Sequence, residues 1–114
     1  MSGCIFCAIA AGEIKSQLLY EDDQVLAFRD INPAAPVHFL VIPRRHIASV
    51  LDLDPGDADL VAQIHVVIGK LAADLGLADM GFRVVVNTGE VAGQTVGHLH
   101  YHVLGGRELG WPPG

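Results

Sequence analysis

The stretch His98–Leu104, with the sequence HLHYHVL, decides the fold of this chain. It holds three of the six histidines of the protein, at every second position. Such alternation is typical of a β-strand, in which successive side chains point to opposite faces of a sheet. The pattern therefore predicts a strand with the three histidines on one face and the apolar residues between them on the other.

Three explanations of this run compete. A core strand that merely contains histidines would need partners for six buried ring nitrogens, which is costly. One zinc ion bound by all three imidazoles conflicts with strand geometry, because His98 and His102 would lie about 13 Å apart and zinc–nitrogen bonds measure about 2 Å. The third explanation gives each histidine a separate task.

Under this third hypothesis, His100 is a nucleophile, because a neutral imidazole can form a covalent phospho intermediate. An acceptor such as a backbone carbonyl would have to hold its Nδ1–H, so that Nε2 presents the lone pair. His102 would bind phosphoryl oxygens and stabilise developing charge. The upstream loop at 93–95 can add backbone and side-chain donors, although its residues are also typical of a plain turn.

The rest of the chain predicts a single α+β domain over residues 1–114, with a largely antiparallel sheet, one long helix and short helical pieces. The predicted elements are a short N-terminal helix at 4–11, strands at 18–20, 25–29, 38–42, 82–86 and 98–104, and a long helix at 57–75. The long helix is predicted from an apolar stripe with helical spacing and from Gly76, which is typical of a helix end.

Composition narrows the possible partners. The 114 residues carry a net charge of -6 without a cluster of cations, which disfavours binding to nucleic acid but permits a small anionic ligand. No window approaches the ~18 consecutive apolar residues of a spanning helix, and no signal peptide is recognisable, so we expect no membrane association and a cytoplasmic location. A chain of this size gains core by dimerising, which makes a homodimer attractive.

Nine short motifs follow one another along the chain. They are CIFC at 4–7, LAFRDINP at 26–33, HFLVIP at 38–43, AADLG at 72–76, VVN at 85–87, GQT at 93–95, HLHYHVL at 98–104, LGGR at 104–107 and WPPG at 111–114. In order and spacing they resemble the histidine triad family, and in particular its Hint branch. The resemblance covers nearly the whole chain. It implies a homodimer in which two five-stranded sheets join, and hydrolysis of adenosine or guanosine 5′-phosphoramidates to the monophosphate and an amine.

The resemblance also implies roles for individual residues. His100 corresponds to the nucleophile, His102 to the phosphate-binding partner and Thr95 to a hydroxyl that delivers a proton to the leaving amine. The residues implied around the nucleotide are Phe28, Asp30, Ile31, His38, Asn87, Gly93, Gln94, Thr95, Val96, His100, His102 and, from the partner subunit, Trp111. On its own, Asp30 could be a turn residue and Trp111 a packing residue.

Three positions depart from the family pattern. Arg29 replaces a common histidine, Thr95 a usual serine and Gly97 an aromatic residue. Thr95 retains the hydroxyl. Arg29 and Gly97 are expected to affect base preference and access to the site.

Cys4 and Cys7 form half of a metal site. His98 becomes available as a ligand if His100 performs the chemistry, and His46 is the best candidate for the fourth position. Bacterial members of the family and the galactose-1-phosphate uridylyltransferases are similar here, with a structural zinc ion bound by two cysteines and two histidines. A redox pair and two free thiols are the alternatives.

The leading functional hypothesis is therefore a nucleoside phosphoramidase with a purine nucleotide substrate and a structural zinc ion. The alternatives are a dinucleoside polyphosphate hydrolase of the related Fhit branch and a nucleotide-binding or protein-interaction module with little turnover. A hydrolase using zinc-bound water is disfavoured, because a site with two Cys and two His ligands is closed.

Overall fold

The computed structural model describes residues 3–114. Residues 1 and 2, which the predicted domain includes, lie outside this part. The elements are helix α1 (Ile5–Ala10), strands β1 (Leu18–Glu21), β2 (Val25–Arg29) and β3 (Val37–Pro43), helix α2 (Ala58–Asp74), and strands β4 (Phe82–Val85) and β5 (Tyr101–Gly105). Two short 3-10 turns, Val50–Asp52 and Pro55–Asp57, precede α2.

The five strands form one antiparallel sheet in the order β1-β2-β3-β5-β4. The predicted α+β class and the five-stranded sheet with one long and one short N-terminal helix are confirmed. The last strand, β5, lies between β3 and β4, where His102 is opposite Leu40 on one side and Val85 on the other. The end of the histidine run therefore lies inside the sheet, and β1 and β4 are its edges.

The two faces of the sheet are covered differently. Helix α2 lies over one face, and its apolar stripe packs against residues such as Val25, Phe39 and Val103. The alternate residues Leu26 and Phe28 point to the other face, where they form a second apolar cluster with Leu40, Ile42 and Phe6 of α1. Because β2 and β3 are buried on both faces, they are almost continuously apolar.

Helix α2 begins and ends as its sequence predicts, within one residue. Before it, the Asp54 carboxylate accepts a hydrogen bond from the Gly56 amide at 2.8 Å, and Asp57 accepts one from the Asp54 amide at 3.1 Å, which forms a capping box. The hydrogen bond from the Asp54 amide and an ion pair with Arg45 lower the pKa of Asp57. After the helix, Gly76 adopts a φ of 81°, as the glycine stop requires.

The prediction that the last strand begins at His98 is wrong, because β5 begins at Tyr101. The Leu99 amide donates to the Ile47 carbonyl at 2.6 Å, and the His98 ring bonds to the Pro43 carbonyl at 2.8 Å. These bonds tie the segment before β5 to the last residue of β3 and to the chain that follows it, outside the strand ladder. The alternation survives without the ladder, since Leu99 lies in the core beneath α2 and His98 and His100 contact Phe6 on the other side.

Other boundaries shift by one or two residues. Helix α1 begins at Ile5 because Cys4 is its N-cap, with the thiol accepting from the Cys7 amide at 3.3 Å.

Within residues 3–114, no helix combines the length and the apolar character that crossing a bilayer requires.

Candidate active site and metal centre

His100 has one ring nitrogen engaged and one available. Its Nδ1 lies 2.7 Å from the His98 carbonyl oxygen, which can only accept, so Nδ1 carries the proton and donates it. Nε2 of the neutral ring is left with its lone pair. The side chain is buried, and the neutral tautomer that a nucleophile needs is therefore set by the backbone two residues away.

A second hydrogen-bond chain determines the proton positions of two further histidines. The Ala34 amide donates to His38 Nδ1 at 2.9 Å, so the proton of the neutral His38 ring lies on Nε2. That Nε2 faces His102 Nδ1 at 3.0 Å and Asp30 Oδ2 at 3.4 Å. His102 Nδ1 accepts a hydrogen bond from this N–H, which leaves the Nε2–H of His102 as a donor.

Burial keeps both of these rings neutral at pH 7. It lowers the pKa of His38, although the Asp30 carboxylate acts in the opposite direction. The pKa of His102 falls to about 4, mainly through burial and further through the neighbouring His100 and His38. His102 therefore offers a hydrogen bond to an anion without carrying a positive charge itself.

The ligand atoms of Asp30, His38 and His102 lie within 4.8 Å of one another, a spacing that a metal site would also need. The proton positions argue against this use. A metal ion would have to replace the proton on His38 Nε2, and the proton could not move to Nδ1, because the Ala34 amide already points at that atom. These three residues form a hydrogen-bond chain.

The second cluster does fit a metal ion. The ligand atoms of Cys4, Cys7, His46 and His98 lie within 4.8 Å of one another. The sulfur–nitrogen distances are 3.4 Å from Cys4 to His98, 3.3 Å from Cys7 to His46 and 3.6 Å from Cys7 to His98. Bonds of about 2.3 Å to sulfur and about 2.1 Å to nitrogen place tetrahedral ligands about 3.6 Å apart.

The tautomer of His98 also suits a metal. Its Nε2 lies 2.8 Å from the Pro43 carbonyl oxygen and must donate to it. Nδ1, which faces the two sulfurs, therefore presents a lone pair, as metal-binding histidines with a carbonyl partner do. Two thiolates and two imidazoles in a tetrahedral arrangement match zinc. Such an ion would hold α1 against the segment before β5.

Only some of the residues that the family resemblance implies around a nucleotide lie close to the hydrogen-bond chain and to His100. Phe28 is buried at the end of β2, where its ring lies 5.6 Å from that of Phe6. Asp30 follows, and its Oδ1 accepts from the Asn32 amide at 2.8 Å, which is the turn contact of an aspartate. Ile31 and Trp111 are exposed, at 89% and 83%.

Gln94 organises the loop between β4 and the histidines. Its Oε1 accepts from the Gly89 amide at 2.9 Å, and its Nε2 donates to the carbonyls of Ala48 at 2.7 Å and Val96 at 3.1 Å. The side-chain amide thus holds the loop together between half-buried Asn87 and exposed Thr95, and also ties it to the segment after β3. Gly93, with a φ of 93°, supplies the left-handed conformation on which this loop turns.

The structure separates Arg29 from the site. Arg29 pairs with Phe39 in the register of β2 and β3, and Phe39 belongs to the core beneath α2. Directly opposed residues share a face, so Arg29 points away from the face of Phe28. Any effect of Arg29 on base preference would therefore be indirect, and it stays a prediction. A Cβ atom at Gly97 would meet nothing within 4 Å, which leaves open space beside Thr95 and Val96.

Phe6 belongs to the site and was missed by the sequence analysis. Its ring packs edge-on against those of His100, His98 and Phe28, at centroid distances of 5.1, 5.9 and 5.6 Å. One feature of the sequence could have indicated it, namely an aromatic residue between two candidate metal ligands in a short helix. Spacing alone reveals none of its partners, of which the nearest in sequence is 22 residues away.

Comparison with known proteins places the chain among histidine triad proteins. The model of the family described as HIT domain matches residues 11–109. The crystal structure of a HIT family hydrolase from Legionella pneumophila is 49% identical, with a TM-score of 0.97 over 98% of this chain and 100% of that chain.

Two other similar structures carry information about ligands in their descriptions. A histidine triad nucleotide-binding protein from Candida albicans is 36% identical, with a TM-score of 0.83 over 96% of this chain and 83% of that chain. A zinc-bound histidine triad family protein from Mycobacterium smegmatis is also 36% identical, with a TM-score of 0.79 over 92% of this chain and 76% of that chain.

Proposed function

Because this chain belongs to the HIT domain family, we propose that it hydrolyses purine nucleoside 5′-phosphoramidates through a covalent nucleotidyl intermediate on His100. One observation carries the proposal. The His98 carbonyl holds Nδ1–H of His100 at 2.7 Å and leaves Nε2 as a buried lone pair beside the donor ring of His102. A hydrolase is also what the similar Legionella pneumophila protein is called.

In the first step, His100 Nε2 forms a bond to the phosphorus atom as the phosphorus–nitrogen bond breaks. The leaving nitrogen takes a proton that the exposed Thr95 hydroxyl relays from solvent, and departs as the amine. The Nε2–H of His102 donates to a non-bridging oxygen and stabilises the charge that develops there. Water then attacks the same phosphorus atom, which releases the nucleoside monophosphate and restores His100.

The nucleotide would lie along the face that carries Phe28. An aromatic ring at the end of β2 suits the base, and the Asp30 carboxylate next to it suits the ribose hydroxyls. The donors of the phosphate pocket would be His102, the backbone of Gly93, Thr95 and Val96, and the Asn87 side chain. The nucleotide-binding protein from Candida albicans supports a nucleotide as the ligand class.

We assign a structural zinc ion to Cys4, Cys7, His46 and His98, supported by the fit of their distances and by the zinc-bound relative. When bound, the ion supplies a tetrahedral crosslink and no acid–base chemistry. Elemental analysis of protein purified without an affinity tag or chelator checks this assignment. We expect about one zinc per chain, and less than a tenth of that amount would contradict it.

We further propose a homodimer in which the two sheets join through their β4 strands. β4 is an edge strand whose residues Phe82 and Val84 are exposed, at 39% and 37%. Pairing would give its free amide and carbonyl groups partners and cover these side chains. Sedimentation equilibrium measures the assembly, and we expect twice the chain mass of 12.1 kDa.

Mass spectrometry of the protein mixed with adenosine phosphoramidate tests the chemistry. We expect an adenylyl adduct on His100 and release of AMP. His100→Ala should abolish both while AMP binding persists. His65→Ala, at an exposed residue of α2 whose ring meets Tyr101 on the helix side of the sheet, should change neither. Turnover by His100→Ala would overturn the proposal. Faster adduct formation from a dinucleoside polyphosphate would favour the Fhit-like activity. If neither substrate formed an adduct, a binding module with little turnover would be favoured.

A further inference from the structure

Phe6 is the only buried residue of α1, and it lies between the two cysteines of the metal cluster. Only 7% of it is exposed. The other residues of the helix are exposed or half-buried, so α1 contributes a single full anchor to the protein. Whatever determines the position of the first turn of α1 therefore determines the position of this ring.

The Phe6 ring meets the proposed site in three places. It lies 5.1 Å from the His100 ring at an interplanar angle of 76°, and 5.6 Å from the Phe28 ring at 64°. It also meets the ring of the proposed zinc ligand His98 at 5.9 Å. Edge-to-face contacts of this kind depend on orientation. If Phe6 were displaced, the rings of His100 and Phe28 would lose these packing contacts.

Helix α1 cannot hold this position by itself. It has six residues, whereas isolated helices shorter than about 12 residues are marginal in water. Its C-terminal end is attached where the Arg44 guanidinium donates to the Ala10 carbonyl at 2.8 Å. Its N-terminal end is attached through the thiols of Cys4 and Cys7, which face His98 and His46. Hydrogen bonds of thiols are weak, so the N-terminal attachment is firm when a metal ion replaces them.

We propose that Phe6 couples the occupancy of the metal cluster to nucleotide binding. A metal ion fixes the first turn of α1, and Phe6 then holds the rings of His100 and Phe28 in the arrangement that receives the nucleotide. Without the ion, nucleotide binding would have to order this turn itself and would be weaker. The inference rests on the proposed function, and Phe6 is a positioning residue in it.

Coupling between two sites is reciprocal, which provides a test that needs no turnover. The dissociation constant of AMP is measured by calorimetry on zinc-loaded and on chelator-stripped protein. The dissociation constant of zinc is measured by competition with a chromogenic chelator, with and without saturating AMP. We expect zinc to tighten AMP binding about fivefold or more, and AMP to tighten zinc binding by the same factor.

Two variants of α1 separate coupling from simple packing. Phe6→Leu keeps an apolar side chain and removes the ring contacts, so the coupling factor should fall close to one while both ligands still bind. Ile9→Ala is the control, because Ile9 packs against the same apolar cluster from the same helix. It should lower stability and retain the coupling factor.

Equal AMP affinity in the zinc-loaded and stripped wild-type protein would overturn the inference. An undiminished coupling factor in Phe6→Leu would also overturn it, as would a wild-type chain that binds no zinc. The wild-type arm decides the matter even if Phe6→Leu does not fold. Failure of the proposed function has a different signature. In that case AMP does not bind, or the loaded protein forms no adenylyl adduct.

Discussion

His38 Nε2 lies 3.0 Å from His102 Nδ1, and one proton lies between the two rings. The Ala34 amide assigns that proton to His38. His102 is thereby fixed as a neutral donor toward the site, with a pKa of about 4.

A pH dependence of stability follows from this low pKa. In the unfolded chain His102 titrates near its ordinary value of about 6.5, so between pH 6.5 and 4 the unfolded state binds more protons than the folded state. The free energy of unfolding should therefore decrease as the pH falls through this window, and the contribution of His102 is fully present above it.

Urea unfolding of the wild type and His102→Gln at pH 7, 6, 5 and 4.5 measures this contribution. The variant retains the metal cluster and the carboxylates, so the titration of these groups, apart from that of the neighbouring Asp30, cancels in the comparison. We expect a shallower decrease in the variant. Parallel curves for the two proteins would show that His102 is not held neutral by the fold.

Gln94→Ala should affect substrate binding more than stability. The lost amide makes two hydrogen bonds within the loop that carries Thr95 and a third to the Ala48 carbonyl outside it. We expect KM for adenosine phosphoramidate to rise several-fold, and the free energy of unfolding to fall by about 1 kcal/mol because the loop is solvated.

Gln63→Ala is the matched control for Gln94→Ala. It removes a side-chain hydrogen bond of similar length, 2.9 Å from Gln63 Nε2 to Asp22 Oδ2, on the far side of the sheet. Its KM should equal that of the wild type. An unchanged KM in Gln94→Ala as well would contradict a role of the loop in binding.

Gly105→Ala should destabilise the protein by about 1–3 kcal/mol through overpacking. A Cβ atom at Gly105 would lie 2.7 Å from Cδ2 of Leu77, a side chain that is itself buried. Gly97→Ala is the control, because a Cβ atom there meets nothing within 4 Å, and it should change stability by less than about 0.5 kcal/mol. Thermal unfolding compares them. Equal effects of both substitutions would show that Leu77 moves aside.

Arg44→Ala should lower the free energy of unfolding by about 2 kcal/mol. The guanidinium donates to the Ala10 carbonyl at 2.8 Å and to the Asp22 carbonyl at 2.6 Å, and so ties α1 to the β1–β2 turn. Lys70→Ala breaks only an exposed pair with Asp74 at 3.0 Å, which is worth less than about 0.5 kcal/mol. Chemical denaturation should rank the two in this order, and the reverse ranking would contradict it.

Elements with strong periodicity could be predicted from the sequence. The stripe of α2 gave its bounds to within one residue, since the capping aspartate and Gly76 act locally. The β3 strand was predictable as a buried apolar run closed by Pro43. The histidine run gave the correct faces and a wrong strand start, because Leu99 bonds to Ile47 rather than to a neighbouring strand. A distant acceptor of this kind leaves no trace in local spacing.

The grouping of the histidines was predictable from the sequence, and their proton positions were not. Spacing indicated that His98 and His102 serve different clusters, and the structure places them in two. The tautomers depend on carbonyls and amides such as those of Pro43 and Ala34, which lie in other parts of the chain. Every residue has a backbone carbonyl, so a sequence motif cannot indicate which of these groups will contact a given ring.

The four candidate metal ligands come from three separate segments of the chain, and one of them, His98, has no exposed surface. Replacing any one of the three half-buried ligands would leave the buried Nδ1 of His98 without a complete metal site. Replacing all four by side chains that pack together would hold α1 without an ion. Over evolutionary time such a centre is therefore expected to be inherited whole or lost whole, and lineages that abandoned the metal should carry coordinated changes at all four positions.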